Sequence, residues 1–465
     1  MTSAITPPLC TLGPAAYSSY IGNLKVQIHK PYLLHVVQCV HTASALPSAV
    51  SMRLLQLGDN DELSLVEFIG SDIPPYAILS HTWGPNNSEV TCRGVVEGTG
   101  KSKRGYQKIL WCGRQAAKNS LEYFWVDTCC IDKTSSAELS EAINSMYRWY
   151  EEAEVCYAYL EDVPPNMPVS EWSTANIKWF TRGWTLQELL APELLEFFAN
   201  DWTSLGTKFD HCHELATITG IHVRALRYAR VEEFSIAQRM YWACNRTTTR
   251  PEDIAYCLIG IFDVNMPLLY GEGAIKAFVR LQEEIMKESN DQSIFPWAQQ
   301  FPVSSPYHSL LADSPRDFAS AGAIVRRSQN YSDDTYSMTN AGLCIRLPMI
   351  PIHSPYMNNQ QWYLGVLDCM AKSSPPSVQN QQRITLYLQR LIYEGDQYAR
   401  MFIEQLKYLP SEWNDHSDRR AIFVRKDPLN VPPPPSTVRG TTSPTCGFQF
   451  SEALLCHLRV CFVRV

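Results

Sequence analysis

The chain has 465 residues, 45% of them hydrophobic and 19% charged, with a net charge of −7 at neutral pH. That length exceeds one ordinary core and predicts two or three units, while the negative balance argues against binding nucleic acid through a broadly basic surface. The 15 cysteines include no CxxC pair, which argues against a zinc ribbon or a thioredoxin-like site and reads as reduced, mostly buried thiols in a reducing compartment.

Residues 1–51 are rich in Ser, Ala and Pro, and are expected to be a disordered leader. Their first charge is Lys25, and the apolar stretch after Lys30 is broken by His35, Gln38 and His41, so no secretory signal is read there. No run approaches the ~18 uninterrupted apolar residues of a membrane span, and the expected location is cytoplasmic. "MRLLQL" from Met52 reads as a short strand. From 76 to about 202, apolar runs alternate with helical stripes. "YAILS" (76–80), "YFWVD" (123–127), "VCYAYL" (155–160) and "LLEFFA" (194–199) are the predicted strands. "GYQKILWCGRQAAKNS" (105–120), "SAELSEAINSMYRWYEEA" (136–153) and "KWFTRGWTLQELLAP" (178–192) are the predicted helices. Such alternation predicts a mainly parallel sheet with helices on both faces, within an α/β core spanning 52–204. Residues 205–291 read as a helical extension and 292–425 as a β-rich C-terminal unit. In 426–465, "VPPPPSTVRG" (431–440) is a linker-like break, followed by an apolar tail without an assignment.

In a parallel α/β sheet, ligands gather outside the carboxyl ends of the strands. Ser80, His81 and Trp83 follow the first strand, and Asp127 closes the second. Loops are polar for no special reason, so this concentration has a bland explanation as well. Glu188 is the sharper candidate. It stands four residues after Trp184 in an apolar segment, where a carboxylate shielded by an indole suits a cationic, sugar-like ligand. Its bland reading is an ion pair with an arginine such as Arg182. Cys129 or Cys130 with His81 makes a weak nucleophile candidate. His211-Cys212-His213 lacks metal-ligand spacing, so no metal site is expected. "YGEG" (270–273) lacks the GK[ST] of a phosphate loop and reads as a turn into the next helix.

The segments "YAILSHTWG", "WVDTCCIDKTSSAELSEAINSMYRWYEEAEVCYAYLEDV", "KWFTRGWTLQELLAP" and "TTRPEDIAYCLIGIFDVNMPLLYGEG" together resemble fungal heterokaryon-incompatibility (HET) domain proteins, over about 52–300 and more loosely to about 400. The resemblance implies a role in non-self recognition between fungal cells that ends in growth arrest or programmed cell death. It also implies partners among other proteins of that pathway, with self-association. The HET domain is in turn remotely similar to Toll/interleukin-1 receptor (TIR) domains. "WTLQEL" looks like the "WCxxEL" helix of their NAD-cleaving members, with Trp184, Glu188 and Leu189 on the motif and Thr185 in place of its cysteine. That likeness implies a TIR-like sheet and NAD(P) as a substrate rather than a cofactor. Glu188 would be the catalytic residue, with Ser80, His81, Trp83, Asp127 and Trp184 around the ligand. The alternative is an adaptor that assembles with other proteins and does no chemistry. An enzyme requires Glu188 in a cleft that faces the loop after the first strand. An adaptor predicts Glu188 in an ion pair with no cavity beside it.

Overall fold

A computed structural model describes residues 51–426, apart from 86, 229, 300–305, 328–334, 353–360, 373–381, 392–395, 405 and 410–418. The expected leader, Ser51 excepted, and the Pro-rich segment with its tail lie outside the described residues.

The first sheet has seven strands: β1 (Ser51–Leu57), β2 (Leu63–Ile69), β3 (Tyr76–His81), β4 (Tyr123–Trp125), β5 (Val155–Tyr159), β6 (Leu195–Phe198) and β7 (Ser204–Thr207). Their spatial order is β2-β1-β4-β3-β5-β6-β7. The four middle strands run parallel, with Ile78 opposite Trp125, Ser80 opposite Ala158 and Phe197 also opposite Ala158. All six residues of β3 and all five of β5 are buried, as expected of strands covered on both faces. The sheet as a whole is mixed, which corrects the expectation of a mainly parallel one. β1 pairs antiparallel with both β2 and β4, and β7 pairs antiparallel with β6. The reason is connection length. A parallel neighbour needs a crossover of a dozen or more residues, whereas short turns join β1 to β2 and β6 to β7. β7, which is not among the predicted strands, follows β6 through such a turn.

The helices cover both faces of the strands. α1 (Tyr106–Lys118) buries Ile109, Leu110, Cys112 and Ala116. α2 (Ser136–Glu152) starts on Ser135, whose hydroxyl accepts from the Glu138 N–H at 3.3 Å, a favourable N-cap. It buries Ala142, Ile143, Met146, Trp149 and Tyr150. The strand predicted over 123–127 ends at Trp125, and Asp127 opens a single helical turn, Asp127–Cys130.

The helix expected over 178–192 is broken. Lys178–Thr181 forms one turn, Arg182 is extended, and α3 (Thr185–Leu190) follows. Arg182 bridges to Thr247, and the Gly183 N–H donates to the Thr247 carbonyl at 2.8 Å. A Cβ on Gly183 would meet Thr248 Cγ2 at 2.5 Å, so the close approach of these two segments needs glycine. Trp184 thus sits at the N-terminal boundary of α3 rather than inside a longer helix.

Residues 205–291 are mainly helical, ending in α4 (Ala274–Glu288). A second sheet follows, built on the long strands Gly342–Ile352, Trp362–Ala371 and Gln382–Arg390. Most buried apolar residues from Met52 to Val424 form one continuous core, with a second small cluster around Trp362, Ala399 and Met401. Among the described residues no helix is long and apolar enough to cross a membrane.

Candidate functional site

The site begins at the carboxyl end of β3, which stands between β4 and β5. Ser80 is fully buried there. Its Oγ accepts the Trp179 Nε1–H at 2.8 Å and donates to Glu188 Oε2 at 2.5 Å. The indole N–H can only donate, so it commits the Ser80 proton to the carboxylate. Glu188 is buried on α3, and burial pushes its pKa from 4.5 up to about 7. The Ser80 hydrogen bond and the Arg182 and Arg246 cations pull it down, while Asp127 pushes it further up. The helix carrying Glu188 is held at its far end by the buried Lys208. Its ammonium donates to the Leu189 and Leu190 carbonyls at 3.1 and 3.5 Å, two of the carbonyls that a helix end leaves unpaired, and to that of Pro192 just beyond at 2.5 Å.

The loop after β3 is fixed by Glu89. Burial alone would raise this carboxyl, but His81, the Gly84 N–H and Lys108 hold it well below the usual range. It accepts the Gly84 N–H at 2.7 Å and the Lys108 ammonium at 2.6 Å. His81 is buried beside it, with Nε2 at 3.7 Å from Glu89 Oε2 and no hydrogen bond. Trp83, 47% exposed, donates Nε1–H to Asp127 Oδ2 at 2.9 Å. The Lys133 ammonium stands 3.7 Å from the centre of its ring.

These groups surround a cavity of about 400 Å³. His81, Trp83, Asp127, Trp184 and Glu188 line it, and Ser80 stands behind Glu188. The six residues that the sequence placed around a ligand, Ser80, His81, Trp83, Asp127, Trp184 and Glu188, are thereby at or next to one cavity. The floor is the apolar stripe of α2, with Leu139, Ile143, Met146 and Tyr150. Sequence reasoning missed the opposite wall: Thr247 to Arg250, Asp253 and Tyr270. Asp253 accepts the Trp184 indole N–H at 3.2 Å and the Tyr270 hydroxyl at 3.0 Å, and its own pKa is raised by burial against those bonds. The signal lay in "TTRPEDIAYC" and "YGEG", which mark that wall. Gly271 and Gly273 do form the turn into α4, both with positive φ, and both donate N–H to Glu252.

The geometry bears on two further readings of these residues. Glu188 forms no ion pair with Arg182, which also lines the cavity; Ser80 is the hydrogen-bond partner of its carboxylate among the described residues. Cys129 and Cys130 are buried, and burial pushes the Cys129 thiol up to about 12. That is the opposite of the depression a cysteine nucleophile needs.

Residues 76–171 match the family model described as Heterokaryon incompatibility protein (HET), and residues 276–321 match a Domain of unknown function (DUF8212). The HET match includes Ser80, His81, Trp83 and Asp127, and stops short of Trp184 and Glu188. The Vegetative incompatibility protein HET-E-1 of Podospora anserina is 41% identical over 336 residues, which is 70% of this chain and 24% of that relative. The chain thus spans about a quarter of the length of the curated relative it matches. No solved structure matches it.

Proposed function

We propose, from the heterokaryon-incompatibility domain that this chain carries, that it acts in fungal non-self recognition and cell death as an enzyme cleaving NAD(P) at the nicotinamide–ribose bond. The supporting observation is Glu188: a buried carboxylate whose pKa burial raises to about 7, in no ion pair among the described residues, that opens on a cavity. A carboxylate that served only the core would be expected in an ion pair, without a cavity beside it.

The chemistry needs little beyond what is present. The bond between ribose C1′ and the pyridinium nitrogen breaks with its electron pair going to nitrogen, which leaves neutral nicotinamide. Positive charge develops on the ribose, and the Glu188 carboxylate stabilises it, as the carboxylates of glycosidases do. Water then bonds to C1′ and loses a proton. Trp83 and Trp184 offer ring faces for flat ligand groups. Acting through an ionised Glu188, the reaction should rise with pH through about 7.

The full chain is tested by incubation with NAD and with NADP, following nicotinamide by chromatography. Release above that of heat-inactivated protein is expected. Its absence with both substrates favours the adaptor reading, in which assembly with other pathway proteins carries the signal.

Ser80→Ala tests the relay. It removes a bond that holds the Glu188 pKa down, so the midpoint of the pH–rate profile should move to higher pH. A hydrogen bond to a charged group is worth about 1.5–3 kcal/mol, so the loss at pH 7 should be about tenfold or more, largely recovered at pH 9. An unshifted midpoint would show that Ser80 does not govern the charge on Glu188.

A further inference from the structure

We propose that Arg182 is the anion anchor of the cavity, and that the ligand it selects carries a phosphate on its ribose. This rests on the reading of Glu188 as the ribose-facing carboxylate.

The argument is an accounting of charges. Two other cations line the cavity, and each is engaged. The Lys133 ammonium lies 3.4 Å from Asp127 and over the Trp83 ring. The Arg250 guanidinium stands 4.5 Å from the centre of the Tyr270 ring. The carboxylates are engaged too: Asp127 by Trp83 and Lys133, Asp253 by Trp184 and Tyr270, and Glu188 by Ser80. Arg182 differs. Arg182 lines the cavity half-buried, and among the described residues its guanidinium donates no hydrogen bond and enters no ion pair. A guanidinium has five N–H donors in a planar fork that fits phosphate oxygens two at a time. Partly withdrawing it from water without an acid is costly unless an anion arrives.

The backbone beneath it is built to stay in place. The Arg182 carbonyl accepts from the Arg246 guanidinium at 2.8 Å and from the Thr185 hydroxyl at 3.0 Å. On either side, the Thr247 N–H donates to the Thr181 carbonyl and the Gly183 N–H to the Thr247 carbonyl, both at 2.8 Å. The main chain is thus fixed while the side chain's donors are unspent. Arg182 and Glu188 face the same cavity and act on each other electrostatically. A 5′-phosphorylated nucleoside carries its anion one carbon from the ribose ring, so one ligand can engage both.

The test uses full-length Glu188→Gln protein, which keeps the ligand intact, titrated calorimetrically with nicotinamide mononucleotide and with nicotinamide riboside. The mononucleotide should bind about 10- to 100-fold more tightly, the range set by charge-assisted hydrogen bonds. Adding Arg182→Ala should erase that difference and leave riboside affinity unchanged, and Arg182→Lys should restore part of it. Equal affinity for the two ligands, no binding of the mononucleotide, or equal weakening of both by Arg182→Ala overturns the proposal. Phosphate preference without nicotinamide release from the native chain leaves the anchor standing and removes the hydrolase. Release that is indifferent to Arg182 does the reverse.

Discussion

Glu188→Gln is expected to lower nicotinamide release by about 10²–10³-fold, the usual cost of removing one electrostatic contact to a transition state, and at the same time to stabilise the protein above pH 7. The two effects share one cause. Burial raises the Glu188 pKa from 4.5 to about 7, so the folded chain resists ionising this group more than the unfolded chain does. For a raised carboxyl pKa, the stability contribution is complete below 4.5 and is lost as pH rises through 7. The gap corresponds to about 3 kcal/mol at 1.36 kcal/mol per unit. Glutamine has no proton to lose, so the variant avoids that cost. It should melt higher than the native chain at pH 8 and together with it near pH 4.5. Melting curves at both pH values, with nicotinamide release at pH 8, check the pair of effects. In cells, overexpressed Glu188→Gln should lose toxicity. Full activity in the variant, or a melting point lowered at pH 8, makes Glu188 a structural acid and sinks the enzyme reading.

What the sequence revealed follows from how local each signal is. β3 and β5 were legible because fully buried strands read as unbroken apolar runs, and α2 because its stripe has helical spacing. The seven-stranded sheet is mixed because β1, β2 and β7 all enter antiparallel pairings, and β7 was the hardest of these to read, a four-residue strand with only Ser204 to Thr207 to announce it. The break at Arg182 was hidden for a different reason. Nothing in "KWFTRGWTLQELL" forbids a helix except one glycine, and the segment that pulls Arg182 into an extended bridge lies at Thr247, 65 residues away in sequence. The same distance hid half of the site. Ser80 and Asp127 stand at the ends of predicted strands, and Glu188 stands out as the one acid in an apolar helical segment. Asp253 and Tyr270 belong to a helical segment whose approach to the sheet is tertiary, so no strand end pointed to them.

That approach can be tested at its tightest point, where Gly260→Ala is expected to destabilise the protein and damage the site together. A Cβ at Gly260 would fall 2.0 Å from the Cβ of Tyr147 and 2.7 Å from its Cγ. The first contact is with the Cβ itself, so no rotamer of Tyr147 relieves it, and the two backbones must separate. Forcing an extra carbon into a packed contact costs about 1–3 kcal/mol, and occasionally more. The separation acts on the cavity because Tyr147 lies on α2, between the floor residues Met146 and Tyr150, while the segment that includes Gly260 also carries Asp253 of the opposite wall. A lower melting point should therefore accompany a loss of nicotinamide release measured well below that melting point. Asn144→Ala is the control. Asn144 joins the same two segments through hydrogen bonds with the Met266 N–H at 3.1 Å and the Met266 carbonyl at 3.4 Å, but its removal forces nothing apart. Its cost should be about 1 kcal/mol, with release nearly unchanged. If Gly260→Ala matches the native chain in both melting and release, the contact yields without moving α2, and the floor and wall of the cavity are not held by it.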